Sequence, residues 1–113
     1  MTMVDIKAGI DIHIPTIGRM LRESLVLDLV NQGSGKIVFS LVTYFGKSTY
    51  GVFYLDDEYG PFEVKPNRII GFREMQSLGM VQRYLRSKKL PEVPVIMDFS
   101  EIQNLEMKPV PTS

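Results

Sequence analysis

Lys36-Ile37-Val38-Phe39-Ser40-Leu41-Val42-Thr43-Tyr44-Phe45, then Gly46-Lys47-Ser48, then Thr49-Tyr50-Gly51-Val52-Phe53-Tyr54-Leu55 run on without a break. The first run is apolar on both faces, with Ile37, Phe39, Leu41 and Phe45 on one and Val38, Val42 and Tyr44 on the other. A strand so patterned is expected to be covered on both sides, and its β-branched and aromatic content suits extended chain. Gly46-Lys47-Ser48-Thr49 is the expected turn, returning the second run as an antiparallel partner. Gly51, inside that partner, weakens a ladder unless the sheet bends sharply or another backbone comes close. The acidic turn Asp56-Asp57-Glu58 follows, then two short strands, Pro61 to Val64 and Ile69 to Phe72, separated by Lys65-Pro66-Asn67-Arg68. This meander predicts an α+β protein whose core is a small, strongly bent antiparallel β-barrel, with an N-terminal strand and two helices.

The N-terminal strand is expected over Val4 to Ile14. Val4, Ile6, Ala8, Ile10, Ile12 and Ile14 alternate there with Asp5, Lys7, Gly9, Asp11 and His13, which gives one buried and one wet face. Gly9 marks a bulge or bend, and Pro15 ends the run. From Thr16 to Val30 the period becomes helical: Ile17, Leu21, Leu25 and Leu29 recur every four residues, with Thr16 as N-cap and Asn31-Gln32-Gly33-Ser34-Gly35 as the stop. Leu25, Leu27 and Leu29 also alternate, so Ser24 to Val30 reads as a strand in the rival assignment. A second helix is expected over Glu74 to Lys89 on the stripe Met75, Leu78, Val81 and Leu85, and Val95-Ile96-Met97 as an edge strand behind Pro94. Residues 1–106 read as one globular domain and residues 107–113 as an extended or disordered tail.

Thirteen basic and thirteen acidic residues cancel, which argues against coating nucleic acid by bulk charge and permits self-association. The absence of cysteine excludes a disulfide framework, a thiolate metal site and a cysteine nucleophile. The opening Met1-Thr2-Met3-Val4-Asp5 lacks the blocks of a secretory signal, and no apolar run approaches the ~20 residues of a spanning helix. A cytoplasmic protein with no membrane partner is expected.

No motif carries a catalytic signature, and neither a cofactor nor a metal is expected. Gly46-Lys47-Ser48-Thr49 resembles the end of a phosphate-binding loop, but Leu41 stands where that loop needs glycine, and Val30 does the same for Gly33-Ser34-Gly35-Lys36. Asp56, Asp57 and Glu58 are contiguous, whereas a calcium loop spreads its ligands over about twelve residues. His13, with Asp11 on the same face, is a conceivable general base without a nucleophile at any telling distance in sequence. Arg83, Arg86, Lys88 and Lys89 with Tyr84 make a basic, aromatic helix end, suited to phosphate contact or to solvation and dipole compensation.

The central stretch resembles an Sm-like domain from Thr16 to Phe72. Its order is helix, strand, glycine-lysine turn, strand with an early glycine, acidic turn and two short strands. Gly46 and Gly51, Asp57-Glu58-Tyr59, and Phe62 with Val64 carry the match; Pro61 replaces the family's asparagine, and Arg68 and Gly71 echo its second motif loosely. The resemblance implies a ring of subunits that meets single-stranded RNA, with Tyr59 stacking on a base and Lys47, Asn67 and Arg68 beside it at one end of the barrel. The residues themselves favour a non-enzymatic binding or scaffold module that self-associates as a homo-oligomer. Single-stranded RNA binding is the alternative, and a small enzyme using His13 and Asp11 the third reading.

Overall fold

The structure, a computed structural model, describes residues 16–44, 46–65 and 75–111. The expected strands Val4 to Ile14 and Ile69 to Phe72 lie outside the described residues, as do Asp11, His13, Asn67 and Arg68. Strand β1 (Met20–Arg22) leads directly into helix α1 (Glu23–Asn31). Strands β2 (Gly35–Tyr44), β3 (Lys47–Asp56) and β4 (Gly60–Lys65) follow, then helices α2 (Leu78–Ser87) and α3 (Phe99–Gln103). The α+β class stands.

The closed antiparallel barrel does not. The described strands form an open, mixed sheet in the order β1-β4-β3-β2, in which β1 runs parallel to β4 and the other pairs are antiparallel. At Gly51 the nearest neighbour is a side-chain ring rather than another backbone. Gly51 sits opposite Ser40, and a Cβ there would lie 3.1 Å from the ring of Phe53. Glycine makes room for an aromatic ring two residues along the same face. The turn is tighter than expected, since Tyr44 pairs with Lys47 across Phe45-Gly46 and residues 47–49 already belong to β3.

The doubly apolar strand is covered on both sides from Ile37 to Ser40, as its pattern demands, whereas Leu41 is exposed. Ile37 and Phe39 join Val26 of α1, Tyr54, Phe62, and Val81 and Leu85 of α2 in one core. Val38 joins Phe53, Ile17 and Ile102 of α3 in a second core on the opposite face. Each fully buried aliphatic or aromatic side chain contributes about 1.5–3 kcal/mol, so the two cores together hold the sheet between helical layers. The third helix, α3, lies beyond the two that the sequence pattern predicts; Ile102 and Phe99 anchor it on Phe53, with the rings of Phe53 and Phe99 5.6 Å apart.

Ser24 to Val30 is helical, which decides between the rival assignments. Helix α1 nevertheless starts later than the expected Thr16, because residues 20–22 are drawn into main-chain pairing with β4. Arg22 stands at the N-cap without a side-chain bond, while the Thr16 hydroxyl accepts from Gly18 N–H and donates to Glu63. The buried stripe shifts accordingly: Val26 and Glu23 face inward and Leu25 faces water. Helix α2 is shorter than Glu74 to Lys89 and is capped by Ser77, whose hydroxyl accepts from Met80 N–H at 3.3 Å. Val95-Ile96-Met97 meets the outer edge of β2 through one parallel bridge, Ile96 to Phe39.

Candidate functional site

The β3–β4 turn is organised by Asp56. Its Oδ2 accepts the backbone N–H groups of Glu58 at 3.0 Å and Tyr59 at 2.9 Å, and its Oδ1 accepts the Tyr54 hydroxyl at 2.8 Å. Burial alone would push the Asp56 carboxyl up, but the bonds from Tyr59, Tyr54 and Glu58 and the charge of Arg19 hold it below the usual carboxylate range. Burial, then the bond to Asp56 and the charges of Asp56 and Asp57, push the Tyr54 phenol up. The three adjacent carboxylates do not converge: Asp56 turns inward while Asp57 and Glu58 are exposed. Among the described residues no cluster of His, Cys, Asp or Glu is set to hold a metal.

Tyr59 and Lys47 are not neighbours. Lys47 opens β3 and Tyr59 lies past its far end, so the length of a ten-residue strand, roughly 30 Å, separates their backbones. Only a sheet curled onto itself would bring them together, and the described sheet stays open. Tyr59 is half-buried against the core that contains Phe62 and Tyr54. Its backbone carbonyl accepts from the Arg19 guanidinium and, at 3.0 Å, from Lys108 N–H.

Two polar constellations had no signal in the sequence. Arg19 gathers main-chain carbonyls: Nε donates to Pro61 at 2.9 Å, one terminal nitrogen to Lys108 at 2.7 Å and the other to Tyr59, while the guanidinium lies 3.9 Å over the Phe62 ring. Glu23, only 3% exposed on α1, accepts the Tyr84 hydroxyl at 2.6 Å and pairs with Lys88 at 3.5 Å, both from the α2 end. Burial, then this bond and charge, push the Tyr84 phenol up. Arg86 pairs with Glu92 at 2.9 Å. Two of the four cations at the basic helix end are thus engaged within the chain, which favours a solvated, internally compensated face there.

The outer edge of β2 has a different character. Phe39 turns its N–H to Val95 and its C=O to Met97, at 2.8 and 2.9 Å. With a period of two, Leu41 and Thr43 turn their backbone groups outward as well. Among the described residues nothing pairs with them. Leu41 is 52% exposed although Ser40 and Val42 on either side are buried, and Val95 and Ile96 are exposed at the same edge. No helix is long and apolar enough to cross a membrane among the described residues. No family model, characterised protein or solved structure matches this chain.

Proposed function

We propose that this protein is a non-enzymatic binding module that self-associates through the outer edge of β2. The observation that carries the reading is Leu41, an apolar side chain exposed between the buried Ser40 and Val42, on a strand whose outward N–H and C=O groups at Leu41 and Thr43 meet no partner among the described residues. Such an edge is a template for another strand. A second copy fits it because antiparallel pairing of β2 with β2 about a two-fold axis matches each outward donor to an acceptor. Leu41, Val95 and Ile96 supply apolar contact at that edge, and a formal charge of zero sets no net repulsion between copies. Size-exclusion chromatography with light scattering across a concentration series tests this. A mass rising above 12.9 kDa with concentration supports the edge; one copy per particle at every concentration contradicts it.

Single-stranded RNA binding in the Sm manner is the second reading. Tyr59 at a turn beside the Arg19 guanidinium favours it, and the separation of Lys47 from Tyr59 weighs against it. A stacking Tyr59 predicts that Tyr59→Ala weakens oligonucleotide binding by roughly 1–3 kcal/mol. Absence of any salt-sensitive retention of RNA ends that reading.

A further inference from the structure

We propose that Arg19, Tyr59 and Gly60 form a docking site for an extended Xaa-Pro peptide of another protein, which the chain's own Lys108-Pro109 fills as resident competitor. The site lies at the β3–β4 turn, at the opposite end of β3 from Tyr50 and Ser48, the partners of Leu41 and Thr43, and does not depend on self-association.

Lys108 is held by its main chain at two points, its N–H by the Tyr59 carbonyl and its C=O by Arg19. The segment passes so close that the Glu106 carbonyl occupies the space a Cβ at Gly60 would take. Gly60 also has a φ of +90°, so glycine is required there twice over. The side chains contribute little to the recognition: Leu105, Met107 and Val110 are exposed, as are those of Glu106 and Lys108.

The site is preformed. With the segment gone, the Pro61 and Tyr59 carbonyls and the Phe62 ring would still fix the Arg19 guanidinium. One N–H donor and one carbonyl acceptor would then face whatever strand lies there. The captured residue precedes a proline, and a residue in that position is held extended before it binds. Little ordering entropy remains to be lost, which gives the site its preference for Xaa-Pro. Val110-Pro111 repeats the pattern two residues on.

The test uses a synthetic peptide of residues 104–113 and the full-length chain, native and Lys108→Pro. The variant removes the Lys108 N–H and loosens the resident segment. Freed of competition, it should bind the peptide at least roughly tenfold more tightly than the native chain. The NMR shifts should centre on the Tyr59 and Gly60 amides and the Arg19 Nε–H. A peptide carrying alanine for Pro109 should bind roughly threefold more weakly. Saturating peptide that leaves those resonances unmoved in the variant overturns the site, and equal binding by the alanine peptide overturns its Xaa-Pro preference. Where Lys108→Pro fails to fold, the native chain serves. Excess peptide should then speed amide exchange at Lys108, and an unchanged rate overturns the proposal.

Discussion

The Tyr84 hydroxyl donates to the buried carboxylate of Glu23 at 2.6 Å and so ties α2 to α1 across the face of the sheet. Phe39 lies edge-on to the Tyr84 ring at 6.0 Å. Tyr84→Phe keeps that ring contact and removes only the hydroxyl. A hydrogen bond to a charged group is worth about 1.5–3 kcal/mol, and the variant should lose that much stability in urea unfolding. A loss within about 0.3 kcal/mol of zero, smaller than ordinary single hydrogen bonds, would show that the contact ties nothing.

Ser40 gives the opposite expectation. It is fully buried between Phe39 and Leu41, faces Gly51 across the ladder, and its Oγ has no hydrogen-bond partner among the described residues. A buried hydroxyl without a partner costs free energy that alanine does not. Ser40→Ala should raise stability by about 1 kcal/mol and leave self-association unchanged. Destabilisation by the same amount would mean that the hydroxyl has a partner in solution.

Acid should act through Asp56. Its folded carboxyl titrates below its unfolded value, so its contribution is fully present above that unfolded value, about 3.9. It is lost as pH falls through the lower folded value. Unfolding free energies measured downward from pH 7 should hold until about pH 4 and then decline. Asp56→Asn should flatten part of that decline and cost about 1 kcal/mol at pH 7, a modest figure because the group is partly exposed. An unaltered acid limb in the variant would remove Asp56 from the account.

The strands were readable in the sequence because Ile37 to Phe45 and Thr49 to Leu55 carry their own alternation, and the burial of Val38 beside Phe39 was implicit in it. Closure was not readable. Gly51 signals room in a sheet, and the sequence does not say whether a bend or a ring such as Phe53 takes the room. The start of α1 is hidden in the sequence for a related reason: Met20 to Arg22 fit a helix by period and are claimed by β4 through main-chain pairing, which leaves no trace in side-chain pattern. The site was harder still. Tyr59 stands out in the sequence only through a resemblance, whereas Arg19 acts on carbonyls of Tyr59, Pro61 and Lys108, partners that side-chain identity does not encode. Leu41 looked like core because its neighbours do; only the fold shows that helices α1 and α2 leave it bare.

Amide hydrogen exchange at Leu41 and Thr43, followed from low to high protein concentration, addresses the β2 edge most directly. Pairing with a second copy gives both N–H groups an acceptor, so their exchange should slow as concentration rises while that of the α2 amides stays constant, and Leu41→Lys should abolish the slowing. Exchange at both positions that is equally fast at every concentration would contradict self-association through β2.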